Sequence, residues 1–497
     1  MQRIPLGRQD AQMLLGDSPT TPMHIGGYSV FSLPATAPTN FVARLLARLR
    51  KQPINSPPWN YRLATQSLLQ STLAPAWEIV LDENVNDHLS HHALPAPGGE
   101  RELWELISRL HSQPLDMARP LWELHLIEGY AHRRFAVYMK FHHALFDGST
   151  AIRVAYALAS ETPNAPVRGP WFAQRNARKE KTERTGREAK RRRDGDASLL
   201  SAFEERIRKQ LETYRSLPEF VRAMRQTINA AMGDHSGLVA PYTGPKCIMN
   251  GPLTRRRSVA MHSFSLARVK AVAKASESTL NDVVLAISGG ALRRHLEERK
   301  ALPQRALIAG VPVGLKHGEG ERSGNRVSLL FATLATDVRD PFNRLMAIRK
   351  STQAAKKHLQ AMSVPSVDLY STVMIVPAFL GSVTGNAMSS VAVSNVAGPH
   401  TPLFLTGAPL EATCPMSVLT PNMALNITCL SYHKGLYLGL TACPDLVPHV
   451  DDLAAHMGDA FKELEAAVKR HAASQSSAAG HSRPLKRSRP RRPVPRS

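Results

Sequence analysis

Cysteine is scarce in this sequence. Its 497 residues include four, Cys247, Cys414, Cys429 and Cys443, and no two stand as CxxC. That spacing argues against a zinc ribbon or a thioredoxin-type site. Four cysteines in so long a chain make no disulfide framework, so a reducing cytoplasm is the expected compartment. The sequence also lacks a GxSxG nucleophile elbow, a P-loop and a GxGxxG run. The serine-hydrolase turn and two common nucleotide cradles are therefore unsupported. Met1 to Gly16 carries Arg3, Arg8 and Asp10 but no apolar stretch, so no secretory leader is expected. A membrane span needs roughly 20 mainly apolar residues in a row. The best candidate, Leu369 to Gly385, is broken by Ser371, Thr372, Pro377, Gly381, Ser382 and Thr384, and reads as buried helix and strands.

What is present is a composition with 43% hydrophobic and 21% charged residues, ordinary for a globular protein and enough for two or three cores. The net charge is +23. Arg175 to Arg193 holds ten Lys/Arg against three Glu, and Arg483 to Arg496 holds seven basic residues and no acid. Together they supply 14 of the 23 surplus charges, so most of the basicity belongs to segments that read as linker and tail. The stretch 162–195 is polar and begins with prolines at 163, 166 and 170, which marks an exposed connection. Helical spacing follows over Leu199 to Met232 and suggests a crossing between halves. The predicted division is 1–160, a basic linker and crossing helix over 161–245, 246–471, and a disordered basic tail over 472–497. Both large parts read as mixed α/β.

Phe135, Val137, Met139 and Phe141 alternate on one face of a predicted half-buried strand. His142-His143-Ala144-Leu145-Phe146-Asp147-Gly148 follows as a turn, and a helix resumes over Thr150 to Ala159 with Ser149 as a candidate N-cap. A neutral imidazole at a strand end can take a proton from a hydroxyl near pH 7. Adjacent residues there point to opposite faces, so one His can face a cavity while the other faces the core. Asp147 could orient the loop or an imidazole, and Gly148 permits a backbone angle closed to other residues. The plainer alternative makes both histidines surface loop residues and Asp147 a helix cap. A zinc site is disfavoured by the ligand spacing. His91-His92-Ala93-Leu94 repeats the first four letters without the Asp and Gly, and reads as loop. Helices are predicted over Leu266 to Ala275 and Asn281 to Glu298, and short strands from Val391 onward.

HHALFDG resembles the HHxxxDG motif of the CoA-dependent acyltransferase superfamily. An ordered series of further matches resembles the bacterial wax ester synthase/acyl-CoA:diacylglycerol acyltransferase family. The series comprises Pro22-Met23-His24-Ile25-Gly26-Gly27, Leu94-Pro95-Ala96-Pro97-Gly98, Pro114-Leu115-Asp116, Arg119-Pro120-Leu121-Trp122-Glu123, Asn281-Asp282-Val283-Val284, Pro312-Val313, Gly324-Asn325, Ser394-Asn395-Val396-Ala397-Gly398-Pro399, and Ala424-Leu425-Asn426 with Ser431-Tyr432. The likeness spans roughly residues 6–460; Ala397 stands where the family commonly has Pro.

The resemblance implies an α/β (α+β) fold of two chloramphenicol-acetyltransferase-like halves with a tunnel between them, walled in part by the charge-poor 369–433 region. It implies that His143 is the general base in direct transfer of a long-chain acyl group from acyl-CoA to a fatty alcohol or diacylglycerol, releasing CoA. His142 and Asp147 would hold the loop and its tautomer. Asn281 and Asp282 would line the site or cap a helix, and Gly148, Pro120, Leu121, Trp122, Ser394 and Asn395 would support it. Trp122 reads as a structural anchor. No metal and no permanently bound cofactor is implied. Peripheral attachment to a membrane or lipid droplet, through the basic segments, is expected; no specific nucleic acid is, and a homodimer stays open. The alternatives are an HHxxxDG acyltransferase for a small alcohol or amine, and a non-catalytic lipid- or polyanion-binding member.

Overall fold

The computed structural model describes residues 3–64, 75–146, 150, 153–154, 156–171, 217–234, 236–314, 327–379 and 387–481. In chain order the strands are β1 (Arg3–Pro5), β2 (His24–Ser32), β3 (Tyr61–Leu63), β4 (Ala76–Ile79), β5 (Leu89–Ala93), β6 (Trp122–Tyr130), β7 (Arg134–His142), β8 (Ser258–Ser265), β9 (Ile308–Gly314), β10 (Val327–Thr333), β11 (Val391–Ala397), β12 (Phe404–Leu405), β13 (Ala408–Met416), β14 (Leu425–Tyr432) and β15 (Gly435–Ala442). They form two six-stranded mixed sheets, ordered β12-β13-β2-β7-β6-β5 and β10-β9-β11-β14-β15-β8, and a small sheet β1-β4-β3.

β7 lies inside the first sheet, and its alternation sorts its neighbours. Phe135, Val137, Met139 and Phe141 pack with Val42, Leu45 and Leu49 of the helix Phe41–Arg50. Ala136 and Tyr138, on the other face, pack with Leu103, Leu106, Ile107 and Leu110 of the helix Glu100–Ser112. The alternation was legible but half-burial is not what the strand shows: from Phe135 on, every residue is buried. Helices cover both faces, so the polar residues of the second face are buried with partners rather than solvated. The repeat at His91-His92-Ala93 is strand, not loop: β5 pairs parallel with β6 at the sheet edge.

In the second half, the helix Leu280–Glu298 starts one residue before the predicted boundary. Val283, Val284, Ile287, Ala291 and Leu292 share a core with Leu425 and Ile427 of β14 and Leu438 and Leu440 of β15. The helix Leu266–Ala275 falls where its spacing places it, and its Ser265 side chain accepts from the Arg268 N–H.

The sheets do not follow the order of the chain. β13 pairs antiparallel with β2, so a hairpin from the C-terminal half completes the N-terminal sheet. Near this exchange a Cβ on Gly439 would sit 1.9 Å from the Pro415 carbonyl oxygen, a gap only glycine leaves. The halves are also tied by Ser108 and Ser112, whose hydroxyls accept from the Val259 and Arg257 N–H groups at 3.0 and 2.8 Å.

Two expected boundaries shift. The stretch from 162 is not wholly exposed: Trp171 is buried against Trp59 and Trp122, and the Gly169 N–H donates to Gln52 Oε1 at 2.7 Å. A large apolar ring outweighs the polar composition around it. The last helix, Val450–His481, continues past Ala472. Ala472, Ala473, Ala478 and Ala479 favour helix over the expected disorder. Residues 172–195, the start of the crossing helix over 199–216 and the tail from 482 lie outside the described residues, as do Gly324 and Asn325. The crossing segment is described as helix over 217–231, packed on the second half through a 2.9 Å hydrogen bond between the Thr227 and Tyr370 hydroxyls.

Candidate active site

The motif turn leaves the end of β7 between two other segments of the first half. The His142 N–H donates to Leu121 O at 2.9 Å and the His143 N–H to Met23 O at 2.8 Å. The Leu145 N–H closes the turn on His142 O at 3.0 Å. The segments written PMHIGG and PLW are therefore backbone clamps on the paired histidines. Leu121 is fully buried and packs with Ala144, and Pro120 is buried beside it. Trp122 lies beneath the turn: its Nε1–H donates to Trp59 O at 2.8 Å and its ring stacks on His88 at 4.3 Å. Trp59 then meets Phe146 at 5.2 Å, so an aromatic floor supports the motif from below.

The two histidines part as adjacent strand-end residues should. His142 is 1% exposed and His143 is half-buried. His142 Nδ1 lies 3.1 Å from the Ala144 N–H, which can only donate, so Nδ1 is the acceptor. Nε2 then carries the proton and donates to Asp17 Oδ2 at 2.8 Å. Asp17 is held in turn by the Met23 N–H at 3.2 Å. Asp147, expected with His142 to hold the loop and its tautomer, lies with Gly148 outside the described residues. The carboxylate on His142 is that of Asp17, 125 residues earlier, and no local spacing signals it. Both ring nitrogens of His142 are thus committed, which leaves it a positioning role. Asp17→Ala is expected to lower turnover about 10- to 100-fold, the scale seen when the carboxylate that orients a metal-bound imidazole is lost. Steady-state CoA release, with KM unchanged, checks it; wild-type turnover would remove Asp17 from the site.

The same face of β7 carries a buried polar network. Lys140 is fully buried, and its Nζ meets Glu123 Oε2 at 2.9 Å, Leu110 O at 3.1 Å and Gln113 O at 2.9 Å. Burial would raise the Glu123 pKa, but hydrogen bonds from His125 and Lys140 and the Lys140 charge outweigh it and bring it down to about 2. His24, paired in register with His142, places Nε2 2.8 Å from His111 O. Burial, then the nearby His111 and Lys140, hold His24 well below its ordinary pKa. Burial, Lys140 and Arg257 bring His111 down to about 3.

The second half contributes another cluster. Asn395 Nδ2 donates to Asn281 Oδ1 at 3.3 Å, and Ser394 Oγ donates to Thr428 Oγ1 at 2.9 Å. The NDVV and SNVAGP segments therefore meet. Asp282 does not join them. Its Oδ2 accepts from the Thr279 N–H and hydroxyl at 2.8 and 2.7 Å, and its Oδ1 from the Thr352 hydroxyl at 2.6 Å. Thr279 is the N-cap and Asp282 closes the capping box from the third helical position. Gly398 brings the SNVAGP turn onto the segment after the motif: a Cβ there would lie 2.4 Å from Ser431 O and 3.5 Å from the Tyr156 ring. Val396, Leu430 and Tyr156 share one apolar cluster with Phe146. The apolar neighbours of the two groups thus belong to one core, reached from both sheets.

Comparison with known proteins places the chain in a family. The wax ester synthase/diacylglycerol acyltransferase catalytic-domain profile matches residues 6–284, and the C-terminal-domain profile of the same family matches residues 323–465. The chain is 34% identical to the O-acyltransferase WSD of Acinetobacter baylyi, over 90% of this chain and 94% of that protein. It is 35% identical to a Mycobacterium tuberculosis protein named as a diacylglycerol O-acyltransferase, over 93% of this chain and 97% of that one. Among solved structures, the wax ester synthase/diacylglycerol acyltransferase of Marinobacter aquaeolei VT8 superposes with a TM-score of 0.72 at 30% identity, covering 94% of this chain and all of that one. The first condensation domain of the CDA synthetase superposes at 0.55 with 16% identity, over 94% and 96% of the two chains, a likeness of fold alone.

Proposed function

From the premise that this chain belongs to the wax ester synthase/diacylglycerol acyltransferase family, we propose that it transfers a long-chain acyl group from acyl-CoA to the hydroxyl of a fatty alcohol or diacylglycerol, with His143 as general base. The observation that carries the assignment is the division of labour in the motif. His142 is spent on Asp17 and the Ala144 N–H, while His143 stands half-buried on a turn pinned at both ends. His143 takes the acceptor's hydroxyl proton as the oxygen attacks the thioester carbonyl. The tetrahedral adduct collapses with cleavage of the C–S bond, and the imidazolium returns the proton to the departing CoA thiolate. No acyl-enzyme is needed. Asn281, Asn395 and Ser394 support the site from the second half. The acyl chain and acceptor lie in a channel between the halves, and the enzyme works at a membrane or lipid-droplet surface. Among the described residues no helix is long and apolar enough to cross a membrane.

The test is CoA release from palmitoyl-CoA with hexadecanol, with dipalmitoylglycerol and with no acceptor. Release at least about tenfold above the acceptor-free rate is expected with one of the two lipids, and the better acceptor names the dominant activity. Release that a short-chain alcohol or an amine stimulates, but neither lipid does, would overturn the lipid reading and keep the chemistry.

A further inference from the structure

The helix over 217–231 has two apolar faces, and among the described residues only one is packed against a partner. Ala223 and Thr227 are buried, and the helix is fixed by Thr227 to Tyr370, by Gln226 to His358 at 2.8 Å and by Glu219 to the Ser363 N–H at 2.8 Å. On the solvent side Leu217, Val221, Ile228 and, just past the end, Met232 are 40%, 60%, 52% and 75% exposed. At about 100° per residue these four fall within roughly a 60° arc, so they form one stripe and not scattered exposure. Val373, on the adjoining helix Val364–Phe379, is a further exposed apolar side chain. Arg222 and Arg225 are exposed and flank the stripe on its polar side. The two acids of this stretch are already engaged, Glu219 by Ser363 and Ser366 and Asp234 by the Ser236 N–H. Upstream, 175–193 adds a surplus of seven positive charges.

We infer that this helix is the surface by which the protein docks on an anionic lipid interface, lying flat with Leu217, Val221, Ile228 and Met232 among the acyl chains and Arg222 and Arg225 at headgroup level. The inference rests on the proposal of a surface-active enzyme and names the segment that makes the contact. Charge complementarity selects the occupant: an apolar stripe bordered by arginines fits a negatively charged lipid surface, whereas a second copy of this chain would bring like charge against like. The contact also differs from attachment by the basic linker or tail alone. Charges held in solvent give binding that salt removes, while buried side chains give a component that salt leaves.

The experiment is cosedimentation with vesicles of equal parts phosphatidylcholine and phosphatidylglycerol, and with phosphatidylcholine alone, across a salt series. It needs no turnover, so it reads the docking surface whatever substrate the active site takes. Val221→Asp with Ile228→Asp is expected to lower binding to the anionic vesicles at least about tenfold, with thermal unfolding and secondary structure unchanged because both positions are exposed. Deleting 483–497 is expected to lower it less. As a check free of any folding defect, Ile228→Cys carrying an environment-sensitive fluorophore should brighten and shift to the blue on anionic vesicles. A double variant that binds like wild type, a label that does not respond, or a dimer that the double variant dissociates while vesicle binding persists would each overturn the assignment.

Discussion

Replacing His143 with alanine is expected to reduce acyl transfer by about 10²–10⁴-fold, the range a positioned proton acceptor contributes, while leaving the fold in place. The expectation of stability follows from how the residue is held. The backbone N–H that ties it to Met23 O is kept by alanine, and the side chain that is cut back is only half-buried. His142→Ala should behave differently. It removes a 1% exposed side chain, strands Asp17 and deletes the acceptor for the Ala144 N–H, so it should lose both activity and stability. The pair of variants therefore separates chemistry from architecture. The measurement is acceptor-dependent CoA release beside chemical denaturation for both proteins. Full turnover in His143→Ala would remove the general base and with it the direct-transfer scheme.

Glu123→Ala should be the most destabilising single change outside the apolar core. Glu123 and Lys140 are cross-strand partners on β6 and β7, and the Lys140 ammonium divides its three donors among Glu123 and the Leu110 and Gln113 carbonyls. Removing the carboxylate leaves a fully buried cation with neutral acceptors only. A broken buried pair costs about 3–5 kcal/mol, and the lower end applies because the Glu123 side chain is 29% exposed. Replacing Lys140 with Met in the same protein should recover part of the loss, since it deletes the stranded charge.

Acid should act on the same network. In the unfolded chain Glu123 takes a proton near 4.5, in the folded protein near 2, so its contribution is whole above the first value and is lost as pH falls toward the second. His111 is kept neutral in the fold down to about 3 against an ordinary 6.5, and His24 shifts in the same direction. Between those limits the unfolded chain binds more protons, so these residues too oppose folding as pH drops. Stability should decline from about pH 6.5 downward and more steeply below about 4.5. A denaturation series across that range checks both parts; a flat profile would show that the network does not hold its charges as described.

The sequence made some of these features readable and hid others for definite reasons. The core face of β7 was legible because a period of two sorts side chains without knowledge of neighbours. The helix Leu266–Ala275 was legible for the same local reason, as was the structural role of Trp122, whose size demands burial. The acidic partner of His142 was not. Asp17 reaches the imidazole through the β2–β7 pairing, and strand partners are not encoded in local pattern. The apparent loop at His91-His92 hid a strand because edge position, not residue alternation, decides it. Asp282, expected to line the site or cap a helix, closes the capping box with both carboxylate oxygens used within the second half, a pairing with Thr352 that local pattern does not signal.

The hairpin that crosses from the second half into the first sets the order in which this protein can be completed on the ribosome. β2 ends at Ser32, yet the strand that covers its outer edge ends at Met416. At about 5–20 residues per second, that edge waits on the order of tens of seconds after its own synthesis. Throughout that interval the nascent sheet carrying the paired histidines presents an unfinished row of N–H and C=O groups, which invites pairing with another chain. Maturation of the motif is thus a late event of translation. Any fragment ending before Ala408 has the histidines but not the strand that closes their sheet.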